Sequence, residues 1–307
     1  MKLLLGSRGS RLALWQAQWV KQRLEGLGHE AEVKVIKTTG DKLTAPLPAG
    51  SKGMFIKEIE EALAAGTVDI AVHSLKDLPV EQIPGLRLAA IPPREDARDV
   101  LVARQALRFA ALPAVCRIAT GSLRRASQVR ILRSDVEVVS MRGNVDTRLA
   151  KLDRGECDAL MMAAAGLHRL GLMARISEYF DPEQICPAVG QGALGLEVRA
   201  DDERVAEAIH PLDDPPSRQT VTAERAALKH LGGGCQTPIA ANARIDGGRL
   251  EILGLVSSPD GSRAVRARAA GAPEEAEIIG AQLAADLLKQ GAATILNWDA
   301  AGNGQGN

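Results

Sequence analysis

Along the first two-thirds of the chain, short apolar runs alternate with longer stretches whose apolar residues recur every three or four positions. KLLLG (2–6) reads as a strand, and RLALWQAQWVKQRLEGLG (11–28) as an amphipathic helix closed by glycine. AEVKVIK (31–37) alternates like a half-buried strand. MFIKEIEEALAAG (54–66) returns to the helical period, and VDIAVHS (68–74) is a buried type of strand. LRLAAI (86–91), DVLVA (99–103) and VCRIAT (115–120) follow as strands. Then SLRRASQVRILR (122–133) predicts a helix, VEVVS (136–140) a strand, NVDTRLAKLDRG (144–155) a helix and DALMMA (158–163) a strand. This rhythm predicts an α/β fold with parallel or mixed sheets and helices on both faces.

Breaks in the pattern divide the chain. The Pro- and charge-rich IPPREDARDV (91–100) reads as a crossover between two α/β units, and PAVGQGALGLEV (187–198) as the return. The helix DDERVAEAIH (201–210) would then pack back on the first unit. A second breaker, PLDDPPS (211–217), precedes a C-terminal unit with a helix, a GGGC loop, three strands and a final helix from about Pro273 to Gln290. The expected domains are 1–93 with 194–213, then 94–193, then 214–300, with a disordered tail at 301–307.

Composition narrows the class. With 307 residues, the chain exceeds one ordinary core, and only 2% are aromatic, so the cores must be aliphatic. Lys plus Arg equals Asp plus Glu at 38 each, which argues against generic nucleic-acid binding. No apolar run reaches the roughly 18 residues of a membrane span, and the N-terminus lacks the pattern of an export signal. Cys116, Cys157, Cys186 and Cys235 are too widely spaced for zinc or a disulfide framework. The expectation is a cytoplasmic protein with free thiols, without metal, nucleic-acid or membrane partners.

Candidate chemistry clusters at strand-to-helix turns. GSRGS carries Arg8 and Ser10. ATGSLRR carries Thr120, Ser122, Arg124 and Arg125, and SMRGNVDTR carries Arg142 and Arg148. Helix N-termini with hydroxyls and guanidiniums suit anions, and such turns gather at the carboxyl ends of the strands in open α/β sheets. Arg also suits carboxylate, because its planar fork makes two bonds. Solvated surface arginines are the competing reading. AVHSLKDLP runs a buried strand into Lys76 and Asp77, either a working pair at a cleft or a surface ion pair; His73 reads as a core or rim residue. SKG (51–53) is a loop for an anion or an ordinary loop, without the spacing of a phosphate-binding P-loop. In HLGGGCQTPIA (230–240), three glycines leave Cys235 reachable, so its thiol is either an attachment point or incidental.

Ten segments in order, SRGSRLALWQA, KGMFIKEIE, DIAVHSLKDLP, REDARDV, GSLRR, RGNVDTRLAKLD, AAAGLHRLG, PAVGQGALGLE, TAERA and GGGCQTPIA, resemble the porphobilinogen deaminase (hydroxymethylbilane synthase) family over nearly the whole chain. The resemblance implies two periplasmic-binding-protein-like domains with mixed sheets flanking a cleft, plus a small C-terminal α/β domain. It implies a monomeric transferase of tetrapyrrole biosynthesis that condenses four porphobilinogen molecules, releasing ammonia and then hydroxymethylbilane. A dipyrromethane cofactor would be held by a thioether to Cys235. Asp77 would be catalytic, stabilising an azafulvenium cation. Lys76, Arg8, Ser10, Thr120, Ser122, Arg124, Arg125, Arg142, Arg148, Arg169, Lys52 and Phe55 would bind cofactor and substrate carboxylates.

The chain departs from the family pattern at Gly121, where a small hydroxyl residue is commoner, at Ser51, where Gly is usual, and at Thr39, where a positive charge often stands. The alternative function is a non-catalytic anion-binding protein of the periplasmic-binding type, which would need neither Asp77 nor a reachable Cys235. A phosphate-ester or nucleotide enzyme fits less well, lacking a phosphate loop and metal-ligand clusters.

Overall fold

A computed structural model describes residues 1–38, 56–232 and 238–296 of the chain. The first lobe contains β1 (Lys2–Ser7), α1 (Arg11–Gly26), β2 (Glu30–Val35), α2 (Lys57–Ala64), β3 (Ile70–Ser74) and β4 (Leu86–Ala90). The second contains β5 (Asp99–Ala103), β6 (Arg117–Ala119), α3 (Leu123–Leu132), β7 (Glu137–Val139), α4 (Val145–Asp153), β8 (Ala159–Ala163), α5 (Ala164–Arg169) and β9 (Glu178–Tyr179). The chain then returns through β10 (Leu194–Arg199) and α6 (Glu203–Ile209). It ends in α7 (Pro215–His230), β11 (Ile239–Asp246), β12 (Arg249–Ser257), β13 (Ala264–Gly271), α8 (Ala276–Lys289) and α9 (Ala292–Leu296).

The first sheet has the order β2-β1-β3-β10-β4 and the second β7-β6-β8-β5-β9. Both are mixed. In the first, β1 runs parallel to β2 and β3, while β10 is antiparallel to β3 and β4. The returning strand therefore closes the first lobe from 120 residues downstream, pairing Leu194 with Ser74 and Leu196 with Val72. Alternation along the strands fills both faces. Leu3, Leu5, Ile70, Val72, Leu196 and Val198 pack on α1 and α6, while Ala71 packs with Ile59 and Leu63 of α2. The second sheet has two aliphatic cores of the same kind. The third sheet is an antiparallel meander, β11-β12-β13, covered by α7 and α8.

Periodic segments became the expected elements, with small shifts. The helix expected from about Pro273 starts at Ala276, after a 3-10 turn over Pro273–Glu275. Three elements had no counterpart in the pattern: α5, β9 and α9, with six, two and five residues. Each is too short for a hydrophobic period to repeat.

Candidate active site

Three helices begin at one place. Ser10 caps α1, its Oγ accepting from the Ala13 amide at 3.3 Å. Ser122 caps α3, accepting from the Arg125 amide at 3.4 Å, and Thr120 Oγ1 accepts from the Ser122 amide at 3.1 Å. Asn144 occupies the cap position of α4. Ser10, Ser122 and Asn144 all line a single cavity of about 730 Å³ between the two lobes. Three helix N-termini on one cavity give it a positive potential from backbone alone.

The turn after β3 forms another wall. Leu75–Asp77 is a 3-10 turn, and Lys76 and Asp77 line the cavity. The returning chain props this turn: Ala193 O accepts from the Leu75 amide at 3.0 Å. Gly190 lies directly beneath, at φ 69°, where an added Cβ would stand 3.3 Å from Leu75 C and Lys76 N. Only glycine meets both conditions without strain. The stretch PAVGQGALG is thus a packing turn under the Lys76–Asp77 pair.

Arg8, Ser10, Lys76, Asp77, Ser122, Arg125, Arg142, Arg148 and Arg169 are brought together on the cavity wall. With Lys151, the described lining has seven cations against two carboxylates, Asp77 and Asp146. Their crowding is visible in their acidity. Burial and the neighbouring Arg125 push the Lys76 ammonium down to about 8, against the pull of Asp77. Burial, Arg125 and Arg142 lower Arg148 to about 10, again opposed by Asp77, and burial lowers Arg169 to about 10. These groups remain charged at neutral pH, and cations outnumber carboxylates on the described lining, so an acidic ligand is what the site would stabilise. Backbone carbonyls hold two of the guanidiniums in place: Arg148 Nε donates to Gly143 O at 2.8 Å and Arg169 Nη2 to Gly192 O at 2.7 Å.

Two predicted binding residues stand elsewhere. Arg124 is buried outside the cavity lining, its Nη1 donating to Asp99 Oδ2 at 2.6 Å and to the Cys186 carbonyl. It faces inward because the adjacent Arg125 takes the cleft side of α3, and one buried carboxylate, Asp99, anchors both. Thr120 is also buried, its hydroxyl committed to the helix start. Lys52, Phe55 and Cys235, with Thr39 and Ser51, lie outside the described residues. Gly121 has a steric reason: an added Cβ would come within 2.9 Å of Met141 O, so a hydroxyl residue there would require the backbone to shift.

The pattern reading missed Gln16 and Ser74, which hydrogen-bond to one another at 2.9 Å and both line the cavity. A glutamine on the inward face of an amphipathic helix was the available signal. His73 is buried, with Nε2 3.3 Å from Glu197 Oε2 on β10, in keeping with a core role. No cluster of three or more metal-ligating side chains occurs among the described residues.

Comparison with known proteins decides the family. Residues 3–207 match the family model described as "Porphobilinogen deaminase, dipyromethane cofactor binding domain", and residues 218–289 match its C-terminal domain. The chain belongs to the porphobilinogen deaminase family. Porphobilinogen deaminase from Syntrophobacter fumaroxidans is 50% identical over 95% of this chain and 96% of its own. The enzyme from a Roseiflexus species is 49% identical over 96% and 98%. Among solved structures, lipoprotein Tp32 from Treponema pallidum is similar at 14% identity and a TM-score of 0.45, covering 69% of this chain and 90% of that one. As a porphobilinogen deaminase the chain is a transferase, hydroxymethylbilane synthase, with dipyrromethane as its cofactor. The cavity fits that group: several cations and three helix starts oppose its carboxylates, and the volume lies in the range of small-molecule sites.

Proposed function

We propose that this chain builds hydroxymethylbilane on a dipyrromethane joined to Cys235 by a thioether, with Asp77 as the catalytic carboxylate. The observation that carries the assignment is the state of the two described carboxylates in the cavity. Asp146 is paired with Arg11 at 2.8 Å, whereas Asp77, in the turn after β3 beside Lys76, forms no ion pair within 4 Å among the described residues. Attachment at Cys235 is supported by exclusion, since Cys116, Cys157 and Cys186 are all buried.

When bound, the dipyrromethane supplies the nucleophilic pyrrole carbon. Arg142, Arg148 and Arg169 would hold acetate and propionate groups by paired hydrogen bonds, and Arg125, whose Nε and Nη2 are bound to Asp99 and Gln191, would add its charge to the wall. Lys76 would add a point charge next to the reacting centre. Porphobilinogen loses ammonia as its aminomethyl C–N bond breaks, and the positive charge left on the ring needs a fixed anion; Asp77 provides it. The same carboxylate would accept the proton that substitution at the nucleophilic carbon releases, and the departing ammonia would finally carry it as ammonium. Water entering at the last step frees the product. We read the working form as a cytoplasmic monomer, which cell fractionation and size-exclusion chromatography test.

The experiment pairs Asp77→Asn with intact-mass analysis. The variant should keep its fold and its Cys235 adduct yet lose turnover by about 10² or more. Near-normal product formation by Asp77→Asn, or active enzyme with an unmodified Cys235, would sink the proposal.

A further inference from the structure

Glu224 and Arg225 sit side by side on α7 and reach two parts of the frame around Asp77. The Arg225 guanidinium donates to three consecutive carbonyls just past Asp77: Leu78 O at 3.1 Å, Pro79 O at 2.7 Å and Val80 O at 3.3 Å. Residues 78–85 form no strand or helix, and Pro79 has no amide proton to donate, so little in the backbone itself fixes this stretch. One planar cation with its donors in a fixed fork can set it.

Glu224 grips the other side. Its side chain is fully buried and accepts from the Gly190 amide at 2.7 Å, the Ala243 amide at 2.7 Å and the Arg94 guanidinium at 2.7 and 3.1 Å. Gly190 is the residue pressed beneath Leu75 and Lys76. One turn of α7 therefore holds the Lys76–Asp77 turn from below, through Gly190, and from its downstream end, through Arg225. The same helix ends at His230, five residues before Cys235 in the sequence.

We infer that Arg225 is a positioning residue: it fixes the orientation of the Asp77 carboxylate and ties the catalytic turn to the helix that leads to the attachment cysteine. The inference rests on the proposed catalytic role of Asp77. It requires no contact between Arg225 and substrate. Its signature is a loss of kcat without a matching change in KM, because Arg225 acts on the placement of the reacting charge rather than on carboxylate binding.

The test compares Arg225→Met, Arg225→Lys, Asp77→Asn and the double variant D77N/R225M, with activity expressed per cofactor-loaded molecule by intact mass. Arg225→Met should lower kcat by about 10- to 100-fold while KM for porphobilinogen stays within about twofold. Arg225→Lys, with one compact ammonium for three carbonyls, should fall between Met and wild type, and it carries the test if the Met variant does not fold. Adding R225M to D77N should cost little more than D77N alone, since both act through one carboxylate. A kcat per loaded molecule unchanged in the Arg225 variants, with only thermal stability reduced, would overturn the positioning role while a dead Asp77→Asn leaves the catalytic reading standing. Turnover retained by Asp77→Asn would overturn the catalytic reading itself, and the positioning role with it.

Discussion

Asp99 Oδ2 lies 2.6 Å from Arg124 Nη1 with both side chains buried, and the other Asp99 oxygen accepts from Arg125 Nε at 2.8 Å. Burial alone would raise this carboxyl, but the two guanidiniums override it and hold Asp99 at about 2. A folded-state value below the unfolded one near 3.9 means stability that is fully present above pH 4 and lost as pH falls towards 2. The interval is worth roughly 2 kcal/mol. Urea unfolding between pH 5 and pH 2 should show this loss in the wild type. Asp99→Asn, though less stable throughout, should show a correspondingly shallower decline; an unchanged pH slope would remove Asp99 as its source.

Arg124 and Arg142 should separate folding from binding. Arg124→Leu breaks a buried pair and leaves the Cys186 carbonyl with Gln128 Nε2 as its remaining side-chain donor, so it should cost about 3 kcal/mol or more, while the folded fraction keeps its KM for porphobilinogen. Arg142 lines the cavity and, among the described residues, forms no ion pair. Arg142→Leu should leave the melting temperature within a few degrees yet raise KM or stall chain extension, seen as accumulated partial adducts by mass spectrometry. The opposite pattern in either variant would reverse its assignment.

Lys76 makes anion capture depend on pH. Its ammonium is held near 8 by burial and Arg125, so raising pH from 7 to 9 removes a cation from the cavity wall. Loading of dipyrromethane onto cofactor-free protein should weaken across that interval, by up to roughly tenfold for a group titrating at 8. Arg at this position stays charged, so Lys76→Arg should flatten the profile. A wild-type profile flat from pH 7 to 9 would show that loss of the Lys76 charge does not govern cofactor capture in that interval.

Which parts of this were legible in the sequence follows from what local pattern encodes. Strands such as VDIAVHS and helices such as RLALWQAQWVKQRLEG carry their own period, and Ser10 and Ser122 announce helix starts by residue type. The gathering of the Arg8, Arg125 and Arg148 turns in one cleft followed from the general geometry of α/β sheets. The division of labour between Arg124 and Arg125 did not. It depends on where Asp99 lies, and on Gln191, whose Oε1 accepts from Arg125 Nη2 at 3.2 Å, residues 25 and more away in sequence, and adjacent arginines look alike until that carboxylate is placed. The same holds for Gly190 and Arg225, whose partners are carbonyls and amides of distant loops, invisible to side-chain pattern.

The thiols offer a last and direct prediction. Burial pushes Cys157 up to about 11 and Cys186 up to about 12, and it also raises Cys116. At pH 8 a thiol titrating at 11 is about one part in a thousand thiolate, and the thiolate is the nucleophile. All three are also shielded by packing, Cys116 and Cys157 in the two cores of the second lobe and Cys186 against Ala240, Leu253 and Leu255. Iodoacetamide should therefore label the native cofactor-free chain at Cys235 alone and leave the native loaded enzyme unlabelled. After denaturation, the cofactor-free chain should take a label on each of its four cysteines, and the loaded enzyme on every one except Cys235. Labelling of Cys235 in fully active, loaded protein would show the sulfur to be free and remove the thioether from the mechanism.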